Sequence, residues 1–582
     1  MTEYARAIAA SVVAGVMWCA GAAQAQHAPE PTAETSRASP RELESERWQS
    51  DVRFLADAIR ERHPHPFHAV NRETFAAAAE RLEARIPELD YPEILAELSR
   101  LVAMLGEGDG HSRVRFNPRF ISGQYPLRYA FFAEGLLIRS ARPDHAALVG
   151  KRVTAIGEVP VEDAVARLAE IVPGDNDFNR RLRMLSYLLM PEILQGLDLA
   201  DADGDVAIQV VDGRGKRSRA TLEPMEWPEG FRYTIGNLSW EPVRLGAPED
   251  WVDMRTAELP RALQRLQEWY WMEPLDGGSA LYVQLNAIGN QEGHKSMGEF
   301  FARVFDAADE EHVERLILDV RWNGGGNNFF NRSVVHGLIR SDKLNQRGRT
   351  YVLIGRTTFS AAQNLITKLD HETEAVFVGE PSGGKPNHYG DARRVTLPES
   401  GLDVSISTLY WQDGGPFDRR AWVPPDIAVD ITANDWVTGR DPVLEAARSV
   451  DPQAVAQPLD ELLTDTYQEH GFAAALAAYR TFKSDPAHRY IETEFVMNRV
   501  GYHLLQNGQI EEAIQVFRLN TEAYPESWNT YDSLGEALVE AGRIEEAITN
   551  YERSLDLNPE NAAAARMLAR LRGRGSGSHG QR

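Results

Sequence analysis

Cysteine is nearly missing from this 582-residue chain: the one residue is Cys19. It falls within residues 1–25, where Arg6 precedes an apolar run, Ile8 to Ala23, closed by Ala23-Gln24-Ala25. A basic residue, a short apolar stretch and a small-x-small triplet form the pattern of a cleaved export signal. A chain processed there carries no thiol. That excludes disulfides, thiolate metal sites and a cysteine nucleophile. Positive charge is also in short supply. Lys and Arg total 62 against 86 Asp and Glu, a net charge of −24. No basic stripe offsets it, which argues against a nucleic-acid partner. Beyond residue 25 no stretch offers the roughly 20 apolar residues of a bilayer span. The expectation is an exported protein, periplasmic or extracellular, with no stable membrane insertion after signal cleavage.

What is present suggests about three to four domains on length alone. Residues 26–40 are rich in Pro, Ala, Ser and Thr and read as a disordered linker. Residues 41–120 carry helical periodicity, with Phe54, Leu55 and Ile59 on one face and Ile94, Leu98, Leu101 and Leu105 on another. In His63-Pro64-His65-Pro66-Phe67-His68 the prolines impose an extended loop, and no further ligand sits at metal-binding spacing. The tight turn Gly108-Asp109-Gly110-His111-Ser112 follows. Residues 121–224 hold short strands, a helix from Val161 to Ile171 and a hairpin from Asp205 to Leu222. Within them Leu148–Val161 resembles the centre of a PDZ domain, interrupted by a helical segment, Asn176 to Leu197. An aromatic-rich stretch then includes Trp227, Phe231, Tyr233, Trp240, Trp251, Trp269, Tyr270 and Trp271. It reads as core plus an edge hairpin, or as the lining of a cleft.

Within residues 225–450 the pattern turns to alternating strands and helices. Leu281–Leu285, Leu316–Val320, Tyr351–Ile354, Ala375–Val378, Arg394–Thr396 and Val404–Leu409 read as strands. Ser296–Ala308, Phe330–Ile339 and Ala361–Leu369 read as helices. Residues 458–572 then repeat with a period of 34: Gly501 and Gly535, Leu504 and Leu538, Gly508 and Gly542, Ala513 and Ala547, Phe517 and Tyr551, Pro525 and Pro559. Paired small residues with an aromatic and a terminal proline are the tetratricopeptide pattern. Residues 573–582 read as a disordered tail.

The chemistry centres on Leu316–Leu369. An apolar strand runs into Asn323-Gly324-Gly325-Gly326, and a second strand leads to Ser360 before a helix. Glycine-turn N–H groups and a helix N-terminus can both hold negative charge. This is a layout for acyl transfer with Ser360 as nucleophile. Ser360-Ala361-Ala362-Gln363 also reads as a plain capping box. Lys385 can act as a base only if its pKa is lowered. His111 needs less tuning. Asp418 could orient an imidazole, or simply pair with Arg419 or Arg420.

Three segments resemble the tail-specific (C-terminal processing) serine peptidase family. Asp319, Arg321, Asn323, Gly324, Gly325 and Gly326 match its "Asp-x-Arg-x-Asn-Gly-Gly-Gly" strand end. Ser360 with Ala361 and Ala362 matches its serine before two small residues. Gly379, Glu380, Gly384 and Lys385 match its lysine turn. A second branch of that resemblance, the tricorn type, uses a histidine and a distant acid where His111 and Asp418 stand. The resemblance implies a multidomain α/β chain: an N-terminal helical subdomain, a partial PDZ-like unit, a crotonase-like α/β peptidase core and an all-α repeat tail. It implies a serine endopeptidase acting on protein or peptide substrates, with Lys385 or His111 as base. The backbone N–H groups of Gly324 or Gly325 and of Ala361 would form the oxyanion hole. No metal or organic cofactor is needed, and a protein partner could dock on the repeats. The competing reading is a non-catalytic ligand-binding or scaffold protein that acts through the repeats.

Overall fold

A computed structural model describes residues 39–227, 251–416, 418–452, 455 and 457–576. The expected signal peptide, residues 26–38 of the linker, Phe231, Tyr233, Trp240 and residues 577–582 lie outside the described residues. Residues 1–44 and 45–582 are separate compact units. The described part of the first is a short 3-10 helix, Pro40–Glu42. All that follows concerns the second.

Its centre is a six-stranded sheet in the order Tyr270–Leu275, Ala280–Leu285, Arg315–Asp319, Thr350–Ile354, Val376–Gly379, Ile427–Ala428. The first pair is antiparallel and every later pair parallel. Parallel strands need both faces covered, so their sequences are apolar throughout. Leu316 and Leu318 pack on one side with the helices Met297–Ala308, Arg332–Ile339 and Ala361–Glu372. Ile317 and Leu353 pack on the other against the helix Pro442–Ser449.

The expected strand Val404–Leu409 is two. Asp403–Ile406 pairs with Arg113–Arg115 and Arg393–Thr396. After Ser407 the chain changes sheets, and Leu409–Gln412 pairs with Asn387–Gly390. The switch is fixed by Ser407, whose hydroxyl is 2.5 Å from Asp109 Oδ1 and whose N–H donates to Ser112 Oγ.

Ahead of the core, helices Ser45–Arg62, Arg72–Arg85 and Tyr91–Ala103 lead into the His111 turn. A seven-stranded sheet, including Leu127–Phe132, Gly135–Ala141, Arg152–Ile156 and Val206–Val211, carries the helix Asp177–Tyr187 in one of its connections. Behind the core, seven α-helices run from Leu459 to Ser576 around one apolar core. Phe517 and Tyr551 lie over Gly501 and Gly535, where a Cβ would approach their rings to 2.5 and 3.1 Å. The last helix, Ala562–Ser576, runs past the expected boundary at residue 572.

One buried ion network fixes where the central strand ends. Arg321 bonds Asp319 and reaches Asp441 at 2.7 and 2.8 Å, while the Tyr282 hydroxyl donates to Asp319 at 2.7 Å. Burial alone would disfavour the guanidinium, but the two carboxylates hold it protonated. Asp441 also caps the helix Pro442–Ser449. Replacing Arg321 by Met leaves two buried carboxylates without a counter-charge. Chemical denaturation of Arg321→Met should show a loss of about 3–5 kcal/mol; an unchanged midpoint would refute this role for the network.

Candidate active site

Three of the parallel strands end in turns on one side of the sheet: Asn323–Gly326, Gly355–Ser360 and Gly379–Lys385. Carboxyl ends of parallel strands are where open α/β sheets place ligands. Ser360 follows the second strand with φ 55° and ψ −126°. A non-glycine residue rarely sits there, at a cost on the order of 1–3 kcal/mol. The surroundings impose it. Phe359 N–H donates to the Asn323 carbonyl, Asn323 Nδ2 donates to the Leu285 carbonyl at 2.9 Å, and Thr358 Oγ1 donates to the Val320 carbonyl at 2.9 Å. Ser360 makes no side-chain cap for its helix, so the capping-box geometry is not formed.

The Ser360 hydroxyl instead faces His111, with Oγ 3.0 Å from Nε2. Phe359 stacks on the imidazole at 4.5 Å, and His388 lies parallel to it at 5.9 Å. Burial, then the positive field of His388 and Arg183, pushes the His111 pKa well below the usual histidine value. The ring is therefore neutral at neutral pH, the state a general base requires. Its Nδ1 is buried and has no hydrogen-bond partner among the described residues.

Two carboxylates fix the turn that carries His111. Asp109 Oδ1 accepts from Ser112 N–H and from the Ser407 hydroxyl, and Oδ2 lies 3.2 Å from His63 Nε2. Burial alone would raise its pKa, but these hydrogen bonds hold it below the carboxylate range. The His63–His68 segment, expected to be extended, instead folds into bends and a turn closed by His68 N–H donating to the His65 carbonyl, and delivers the buried His63 to the His111 turn. From the other side Asp175 Oδ1 accepts from Gly110 N–H at 2.6 Å.

Lys385 and Asp418 are placed differently. Lys385 Nζ pairs with Glu107 at 3.6 Å, and among the described residues no hydrogen bond joins it to Ser360. Asp418 meets Arg420 at 2.7 Å and His371 at 3.3 Å, not His111. Burial opposes its charge, but His371 and Arg420 hold its pKa far below the usual value. It serves the end of the Ser360 helix rather than the imidazole.

The glycine turn lies against the serine. A Cβ on Gly325 would sit 2.7 Å from Ser360 Cβ and 3.0 Å from Ala361 N, and φ there is +112°. The Gly325 N–H donates to Asn323 Oδ1 at 2.9 Å, so it is not free for an oxyanion. The N–H groups of Gly324 and Ala361 have no hydrogen-bond acceptor among the described residues. A separate cavity of about 140 Å³ opens beside Trp322 and Thr357, lined by apolar side chains such as Phe131 and Trp436 and by Arg139, Arg356 and Glu380; neither Ser360 nor His111 lines it.

Asn323, Asp109, Asp175 and Asn176 shape the site; the residue patterns placed Asn323 in the glycine-turn motif and Asp109 in the His111 turn, but gave no role to Asp109, Asp175 or Asn176. A signal for the last two was present: Pro173-Gly174-Asp175-Asn176 is a turn followed by an N-cap.

A TPR repeat model matches residues 535–569. No curated protein matches the chain. Among solved structures, mature CPAF complexed with lactacystin is similar at 14% identity and a TM-score of 0.48, covering 69% of this chain and 97% of that one. The photosystem II D1 C-terminal processing protease is similar at 14% identity and a TM-score of 0.31, covering 66% and 93%. A putative peptidase from Parabacteroides merdae is similar at 14% identity and a TM-score of 0.35, covering 71% and 96%.

Proposed function

We propose that the chain is an exported serine peptidase that cleaves protein or peptide substrates through an acyl-enzyme on Ser360, with His111 as general base. The observation that carries this reading is the 3.0 Å contact between Ser360 Oγ and His111 Nε2. A serine at a strained turn beside a neutral imidazole is the minimal equipment for activating a hydroxyl. Export rests on the pattern of residues 1–25.

The geometry supports the following steps. His111 Nε2 accepts the Ser360 proton as Oγ attacks the peptide carbonyl. The negative charge that develops on the carbonyl oxygen falls near the N–H groups of Gly324 and Ala361. Collapse of the tetrahedral intermediate breaks the C–N bond, and the imidazolium returns its proton to the leaving amine. Water, deprotonated by the same ring, then hydrolyses the ester. Among the described residues Nδ1 has no partner, and the charge of Asp109 favours the imidazolium only in part against burial and the fields of His388 and Arg183. A partner protein on the repeats remains an expectation of this reading.

Ser360→Ala should abolish hydrolysis of an unfolded protein substrate while leaving the circular dichroism spectrum unchanged. Undiminished turnover would end the proposal. His111→Gln should lower kcat/KM by roughly 10³-fold or more, whereas Lys385→Met should retain most activity. The reverse ranking would assign the base to the lysine. Gly325→Ala should inactivate the enzyme through its clash with Ser360.

The pH profile has a definite sign. The active imidazole is the neutral one and its pKa is depressed, so activity persists as pH falls past 6.5 and is lost only on protonation below that. An acid limb of kcat/KM centred above 6.5 would contradict the assignment.

A further inference from the structure

Asp175 and Asn176 sit at the start of the helix Asp177–Tyr187, remote in sequence from every catalytic turn. Yet their polar groups reach two of those turns. The Asp175 carbonyl accepts from Gly108 N–H at 3.0 Å, and its side chain accepts from Gly110 N–H and, at 3.4 Å, from Lys385 N–H. Asn176 Nδ2 reaches the carbonyls of Ser382, Gly384 and Ala421 at 3.0, 3.3 and 2.8 Å. The second turn is tied to the nucleophile's own turn, since Gly383 N–H donates to the Thr358 carbonyl at 3.0 Å. Both side chains are buried, Asp175 at 0% and Asn176 at 1% exposure. Two adjacent residues thus join the His111 turn to the loop that supports Ser360.

The outer face of the same helix meets the repeat array. Phe178 packs edge-on against Trp422 and Tyr490, each at 5.5 Å. The Trp422 indole N–H donates to the Tyr490 carbonyl at 2.9 Å. Arg489 pairs with Asp430 at 2.8 Å, and the Tyr490 hydroxyl donates to it at 3.2 Å. The Glu492 carboxylate lies beside the backbone of Ala421, the residue whose carbonyl accepts from Asn176. Ala421 and Trp422 are therefore held between the buried pair and the segment Pro486–Thr493 of the repeat array.

We propose that Asp175 and Asn176 are positioning residues for the Ser360–His111 pair, and that the repeat array, seated on Phe178 and Trp422 through Tyr490, keeps them in register. This rests on the catalytic reading above. The array then has a task beyond any partner it recruits: the catalytic turns are fully ordered only while it is docked. A misplacement of about 1 Å at a reacting pair costs on the order of 10²-fold in rate, so a small slackening of this joint is measurable.

The test uses the full chain with Tyr490→Ala and Tyr490→Phe. Hydrogen exchange should show faster exchange of the Gly110, Gly383 and Lys385 amides in Tyr490→Ala, with the sheet amides of Arg315–Asp319 unchanged. In the same variant kcat should fall about tenfold or more with KM little altered. Tyr490→Phe keeps the ring and should restore both. Asp175→Asn should reproduce the kcat loss with the repeats still docked. Unchanged exchange at the three amides overturns the proposal whether or not the enzyme turns over any substrate. Faster exchange with full kcat overturns the positioning role. A wild-type chain that hydrolyses nothing would defeat the catalytic reading instead, and the exchange result would still report on the joint.

Discussion

The site depends on one close approach: the Gly324–Gly326 turn pressed against the backbone of Ser360. Gly325 leaves no room for a Cβ on the serine side, and Gly326 leaves none against Ile288, where a Cβ would meet the carbonyl oxygen at 2.1 Å. Only glycine fits such contacts at positive φ. The approach does three things together. It forces Ser360 into its unusual conformation, it turns Oγ away from its own helix, and it leaves the Ala361 N–H uncovered. Asn323 holds the arrangement. It is fully buried, it accepts from Gly325 and Phe359, and it donates to Leu285.

Around that contact buried polar side chains bond backbone, and Asp109 also bonds the Ser407 hydroxyl. Asp109, Asp175, Asn176 and Asn323 each bond main-chain groups of a catalytic turn. Turns have few cross-strand hydrogen bonds of their own, so buried side chains must satisfy them. Each such bond contributes about 0.5–1.5 kcal/mol net. Asp109 and Asp175 fix the turn that carries an imidazole whose Nδ1 has no partner among the described residues.

The core strands and the repeats were legible because both follow from periodicity: unbroken apolar runs for a covered parallel sheet, and a 34-residue spacing for stacked helix pairs. The glycine turn and Ser360 were legible because few arrangements use such residues in that order. The partner of Ser360 was narrowed to Lys385 or His111 but not chosen. His111 lies 249 residues away, and a histidine in a glycine turn looks the same whether or not a serine faces it. Lys385 carries the motif, but its ammonium pairs with Glu107. Asp418 shows the opposite lesson, since the neighbour two residues on, Arg420, takes it. Asp175 and Asn176 escaped notice because they bond backbone amides and carbonyls, which every residue possesses, and because Asp and Asn before a helix are commonplace. The break at Ser407 escaped because its only mark is small: Val404-Ser405-Ile406-Ser407-Thr408-Leu409 loses its alternation at Ser407-Thr408.

The central claim is that Ser360 is a nucleophile made reactive by His111. The most direct measurement is the rate at which a serine-directed phosphonate adds to Ser360, followed by mass spectrometry of the intact chain. Wild type should acquire one adduct, mapped to Ser360. His111→Gln should acquire it at least about 100-fold more slowly, and Lys385→Met at nearly the wild-type rate. An adduct that forms equally fast without His111, or none on Ser360 at all, would contradict the account.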